Sequence, residues 1–226
     1  MKKICFLLVL FLCPFCVFAI DLASNAKSAI IIEPTTGKII FEKNSNERLE
    51  PASMTKIMTL LLTFEAIDNG RVSLDDMVNI SKRAEDMGGS QMFLEAGSNI
   101  RLEEIIKGVS IASANDGAIA LAEFIGGSVE NFVDMMNKKV EDLGLSNTHF
   151  ANPHGLHADN HYSSAYDMAI MASNLISHEK VLNYTSIYED YFNKPDGSRT
   201  WLVNTNKLVR FLEGVDGLKT GYTSEA

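Results

Sequence analysis

Ser53 and Lys56 are the residue pair in this chain best placed to do chemistry. They open the stretch Pro51 to Ile67, which reads as a helix starting near Ser53. Three residues apart on a helix, a hydroxyl and an amine share one face and can meet. The rest of that helix, Ile57, Met58, Leu60, Leu61, Leu62, Phe64 and Ile67, leaves no wide polar face, which marks it for burial in a large core. An amine in such a place is costly as a cation, so its pKa falls and it becomes neutral. A neutral lysine beside a serine is a nucleophile with its base. The helix dipole favours the negative charge that develops at the helix start.

Spacing alone is weak support, since Ser-x-x-Lys arises by chance roughly once in a chain of this length. The chain also carries it at Ser24 and Lys27, in a polar stretch, and at Ser177 and Lys180, at a helix end. Only Ser53 opens a buried helix. Two further motifs follow in order. Ser113-Ala114-Asn115 falls at a junction between helices, where a hydroxyl and an amide can project into a cleft. Lys219-Thr220-Gly221 reads as part of the last strand. Its lysine offers a positive charge, its threonine a hydroxyl for a substrate carboxylate, and its glycine room for close backbone approach.

The elements that must position these groups are legible in outline. Ser28 to Glu33, Pro34 to Gly37 and Lys38 to Glu42 read as strand, turn and strand. Short strands are expected around Val78 to Ile80 and Gln91 to Leu94. Helices are expected over Leu102 to Val109, Asp116 to Ile125, Val129 to Leu143 and Ser163 to Ser177. Leu208-Val209 and Gly214 to Tyr222 suggest a return to strand. One mixed α/β (α+β) domain, largely helical around a sheet, fits this order.

Residues 1–19 have the anatomy of a secretory signal peptide: Lys2 and Lys3, an apolar run from Ile4 to Phe15, and Val17-Phe18-Ala19 at the cleavage positions. Cleavage after Ala19 leaves residues 20–226 as the exported chain. Cys5, Cys13 and Cys16 all lie in the leader, so the remainder has no disulfide and relies on its core. Losing Lys2 and Lys3 takes the formal charge from −9 to −11. That balance argues against nucleic acid as a partner. No second apolar run is long enough for a membrane span.

Ser-x-x-Lys, Ser-x-Asn and Lys-Thr-Gly in this order are carried by the penicillin-recognising serine acyl enzymes. The chain resembles a low-molecular-mass penicillin-binding protein, a serine-type D-alanyl-D-alanine carboxypeptidase. The likeness extends through Gly89 to Leu94, Lys107 to Asp116, Gly144 to Leu156, His161 to Ala169 and Asn204 to Thr223. It implies a β-lactamase/transpeptidase-like fold, an antiparallel sheet packed with a large helical region. It implies Ser53 as the acyl-ester nucleophile, Lys56 as general base, Ser113 as proton relay and Asn115 as the group positioning the substrate amide and Lys56. Lys219 and Thr220 would hold the terminal carboxylate, Gly221 would let the backbone approach, and the N–H groups of Ser53 and Tyr222 would form the oxyanion hole. The substrates implied are peptidoglycan stem peptides ending in D-Ala-D-Ala, with β-lactam antibiotics as mimics, in the periplasm or cell envelope of a bacterium. No cofactor or metal is implied.

Three other readings stand beside this one. Class A β-lactamases add a Glu-x-x-Leu-Asn loop, and Glu179 to Asn183 has that form, but directly after a helix and far closer to Lys219 than to Ser113. A zinc hydrolase could use His149, His154, His157 and His161 with Asp159, yet no His-Glu-x-x-His helix occurs. The third is a catalytically incompetent fragment. The resemblance implies a five-stranded sheet whose next two strands lie beyond Ala226, between the Lys219 strand and the N-terminal hairpin.

Overall fold

The structure, a computed structural model, describes residues 22–222. The leader expected at residues 1–19 lies outside the described residues. The chain runs β1 (Ala29–Ile32), β2 (Ile39–Lys43), a 3-10 turn (Ala52–Thr55), α1 (Lys56–Asp68), β3 (Met77–Asn79), α2 (Lys82–Glu85), β4 (Asn99–Arg101) and α3 (Leu102–Ile111). It continues with α4 (Asn115–Gly126), α5 (Val129–Asp142), α6 (Ala165–Ile176), α7 (Leu182–Thr185), β5 (Glu189–Asn193), β6 (Arg199–Val203) and α8 (Leu208–Phe211).

Helix α1 is the axis of the helical region. Met58, Leu60, Leu61 and Phe64 have essentially no exposed surface, and α4, α5 and α6 pack around them. Each such side chain stabilises the fold by about 1.5–3 kcal/mol relative to exposure, which outweighs the polar cost of the helix start. The surrounding helices are one-sided. In α3, Leu102, Ile105, Ile106 and Val109 are buried while Glu103 and Glu104 lie in the first turn, where the helix dipole favours acids. Ser128 caps α5 by accepting from the N–H of Asn131, and Ser164 caps α6 by accepting from that of Asp167.

The strands form three separate antiparallel ribbons, β1 with β2, β3 with β4 and β5 with β6, rather than a single sheet. In β5–β6, Phe192 and Leu202 face the core while Tyr191 pairs with Trp201 on the solvent side. Three expectations from sequence are corrected. Gln91 to Leu94 is not a strand, because the N–H groups of Met92 and Leu94 are taken by a side chain, the Asp116 carboxylate. Leu208 and Val209 begin the short helix α8. Lys219-Thr220-Gly221 joins no ladder among the described residues. Among the described residues, no helix is long and apolar enough to cross a membrane.

Candidate active site

The 3-10 turn Ala52–Thr55 runs directly into α1, and this junction sets the site. Ser53 is half-buried in the turn, and Lys56, the first residue of α1, is completely buried. The Lys56 amine lies 3.1 Å from Ser53 Oγ, 2.8 Å from Asn115 Oδ1 and 2.7 Å from the His154 carbonyl oxygen. The last two are acceptors only. In the neutral amine they take its two N–H bonds, which frees its lone pair for the Ser53 hydroxyl. The proton state agrees: burial, reinforced by the charge of Lys219, holds the Lys56 pKa well below 10.5, with Asp116 pulling the other way.

Two loops build the floor. Asn152 Oδ1 accepts from the N–H groups of His154 and Gly155, turning the chain so that the His154 carbonyl points at Lys56. Thr59 Oγ1 donates to the Pro153 carbonyl at 2.6 Å. Gly155, at φ +89°, lies against the Ala52 carbonyl so closely that a methyl group there would overlap it. His161 accepts the Ala151 N–H at Nδ1, so its proton is on Nε2 and donates to Thr55 Oγ1 at 2.8 Å. Burial lowers the pKa of His161 to about 4 and that of His154 to about 3, so both rings are neutral at pH 7.

The third side comes from the α3–α4 junction and the residues after α8. Ser113 is buried at the junction with φ +60°, a left-handed conformation rare for a serine. Its hydroxyl is not among the three partners of the Lys56 amine. The Lys219 amine donates to the Thr220 carbonyl at 2.9 Å, and burial lowers its pKa to about 8. Thr220 Oγ1 donates to Thr205 Oγ1 at 2.7 Å, which ties the segment to the end of β6. Asn206 Nδ2 reinforces it by donating to the Gly217 carbonyl at 2.6 Å. Gly221 lies over the start of the catalytic turn, where a Cβ would be 2.9 Å from the Pro51 carbonyl oxygen. Tyr222 is almost fully exposed.

The structure thus joins Ser53, Lys56 and Asn115 by hydrogen bonds, with Gly221 against the same turn. It also brings in groups the sequence reading did not single out. The His154 carbonyl carries no sequence signal, since every residue has one. Asp116 had a signal, an acid in the first turn of a buried helix. The histidines weighed for the zinc alternative are dispersed: His149 pairs with the Asn160 carbonyl and His157 with Glu50. Among the described residues no cluster of histidine, cysteine and acidic groups could hold a metal. Glu179 is exposed in a 3-10 turn. An apolar groove of about 650 Å³ between β1, α6 and Gly221 is lined by none of Ser53, Lys56, Ser113, Asn115 or Lys219.

A serine beside a buried lysine, set in mixed helical and antiparallel structure, fits the penicillin-binding, transpeptidase-like fold. Residues 18–226 match the model of the Peptidase_S11 family, D-alanyl-D-alanine carboxypeptidase, and the chain belongs to that family. It is 56% identical over 206 residues to D-alanyl-D-alanine carboxypeptidase DacF of Bacillus subtilis, covering 91% of this chain and 53% of that protein. D-alanyl-D-alanine carboxypeptidase DacD from Francisella tularensis superposes with a TM-score of 0.85 at 30% identity, over 89% of this chain and 60% of the other. Penicillin-binding protein 5 from Haemophilus influenzae does so with a TM-score of 0.82 at 37% identity, over 89% and 58%. The chain spans about half the length of the curated relatives it matches.

Proposed function

We propose that this chain acts as a serine-type D-Ala-D-Ala carboxypeptidase, with residues 20–226 as an exported catalytic domain working on peptidoglycan in the periplasm or cell envelope. One observation carries the proposal. The Lys56 amine is buried with the Ser53 hydroxyl and two carbonyl oxygens all within hydrogen-bond distance.

In this mechanism Ser53 Oγ attacks the carbonyl carbon between the two terminal D-alanines, and its proton passes to Lys56. The backbone N–H groups of Ser53 and Tyr222 receive the tetrahedral oxyanion, an effect worth about 3–4 kcal/mol per donor in comparable sites. The C–N bond then breaks. The proton returns to the leaving amine by way of Ser113, and D-alanine departs. Asn115 holds the substrate amide, while Lys219 and Thr220 hold the terminal carboxylate. Water, deprotonated by Lys56, hydrolyses the ester and restores Ser53. A β-lactam would enter the same path and remain on Ser53.

The test is the intact mass of the chain after incubation with a fluorescent penicillin, beside a Ser53→Ala control. One adduct per chain in the wild type alone, followed by D-alanine release from a stem pentapeptide, is the expected result. A folded wild-type chain that acquires no adduct overturns the proposal.

A further inference from the structure

Asp116 is a buried charged residue that the mechanism above does not use. It is 1% exposed, and its carboxylate is fully engaged by backbone. Oδ1 accepts from the N–H of Gly117 at 2.8 Å and from that of Met92 at 3.1 Å, and Oδ2 accepts from the N–H of Leu94 at 3.0 Å. Two of these donors belong to a loop twenty-odd residues away in sequence. Hydrogen bonds to an ionised acceptor are roughly twice as strong as neutral ones, so the loop is pinned firmly to the start of α4. The Met92 side chain adds a second anchor by filling the space that Gly108 leaves on α3.

What the pinned loop holds is Asn115. The Ser90 carbonyl accepts the Asn115 backbone N–H at 2.7 Å, and the Gly88 carbonyl accepts Asn115 Nδ2 at 2.8 Å. With Nδ2 committed to Gly88, the amide cannot flip, and Oδ1 is left facing Lys56 at 2.8 Å. Gly89, at φ +79°, completes the fit, since a Cβ there would stand 2.7 Å from Asn115 Nδ2.

We propose that Asp116 is a positioning residue: its carboxylate clamps the Gly88 to Leu94 loop onto α4, and through that loop it orients the Asn115 amide toward the Lys56 amine. The proposal rests on the acyl-enzyme reading for its kinetic consequence, not for its geometry. Asp116 also counterbalances a neighbouring charge. Lys219 lowers the proton affinity of Lys56 from one side and Asp116 raises it from the other, while the nearby His154 ring is neutral.

The test is Asp116→Asn in the full chain. It puts an N–H₂ where a carboxylate oxygen now accepts, without changing side-chain size. Acylation by penicillin is expected to fall ten- to a hundredfold at pH 7. The titration midpoint of Lys56, followed by NMR of ¹³C-labelled lysine, is expected to move to lower pH. A role in folding alone would not move that midpoint. Gly89→Ala, which crowds Asn115 while keeping Asp116, should lower acylation similarly and guards against an Asp116→Asn chain that fails to fold. Wild-type acylation rate and an unchanged Lys56 midpoint in Asp116→Asn overturn the proposal. If the wild type itself is not acylated, the proposed function fails, and hydrogen exchange of the Met92 and Leu94 amides, faster in Asp116→Asn if the carboxylate clamps the loop and unchanged if it does not, still decides for or against the clamp.

Discussion

The Lys56 amine stands 3.1 Å from the Ser53 hydroxyl while two carbonyl oxygens, from Asn115 and His154, hold its N–H bonds at 2.8 and 2.7 Å. Burial, with no carboxylate among these three partners, favours the neutral amine, whose lone pair can then take the Ser53 proton. Replacing Lys56 with methionine keeps the apolar stem and removes the base. Acylation of Ser53 by penicillin should fall by about a hundred- to ten-thousandfold, the range for losing a positioned proton acceptor. Stopped-flow fluorescence with a labelled penicillin measures this. A rate within a few-fold of wild type would mean that another group takes the Ser53 proton.

The two lysines set opposite limbs of a pH profile. In the proposed mechanism acylation needs Lys56 neutral, so it should decline as pH falls through the lowered Lys56 pKa. The same mechanism needs Lys219 charged to hold the substrate carboxylate; burial lowers its pKa to about 8, so binding should weaken as pH rises through that value. Lys219→Arg tests the second limb, since a guanidinium keeps its charge above pH 12. The expected outcome is a bell-shaped kcat/KM profile in the wild type whose alkaline limb near pH 8 disappears in Lys219→Arg. An alkaline limb that stays in place would assign it to another group.

The sequence made some of this structure plain and concealed the rest for physical reasons. Helix α1 was legible because it is apolar on every side, and the Ser53 and Lys56 spacing was legible because local helix geometry dictates it. Strand pairing is not local. Met92 and Leu94 are buried and Phe93 is exposed, an alternation that imitates a strand, yet a carboxylate from α4 takes their N–H groups instead. The Lys219 segment likewise reads as a strand, but a strand needs a neighbour, and what ties it here are single hydrogen bonds, from Asn206 to the Gly217 carbonyl and from Thr220 to Thr205. The His154 contribution is a main-chain carbonyl, which no side-chain pattern can announce.

Stability should depend on pH through the neutral histidines under the site. His161 and His154 have folded pKa values of about 4 and 3, below the ordinary 6.5. The unfolded chain therefore binds protons first, and stability is full above pH 6.5 and lost as pH falls from there toward the folded values. Each histidine accounts for roughly 2 kcal/mol of loss between pH 7 and pH 5. Urea unfolding at the two pH values checks this. His161→Gln, which removes one titrating group, should show a smaller difference than the wild type. Equal stability of the wild type at pH 7 and pH 5 would sink the argument.

Gly155 and Gly221 both press on the turn that carries Ser53, but from positions of different burial, and alanine at each should fail differently. Gly155 is buried at φ +89°, and a methyl group there meets the Ala52 carbonyl and lies 2.9 Å from Thr55 Oγ1. Backbone must move to admit it, and the left-handed conformation disfavours alanine as well, so Gly155→Ala should destabilise the chain by about 3 kcal/mol or more. Gly221 is exposed, and its added methyl group would stand 2.9 Å from the Pro51 carbonyl oxygen and 3.2 Å from Ala52 Cβ. There the Lys219 to Tyr222 segment can lift away at small cost to the core. Gly221→Ala should therefore melt within about 1 kcal/mol of wild type, as surface substitutions usually do, yet lose most of its acylation because Lys219 and the Tyr222 N–H move off the site. Thermal melts paired with penicillin labelling separate the two effects. Full labelling by Gly221→Ala would show that the segment's close approach to the turn is not needed for the chemistry.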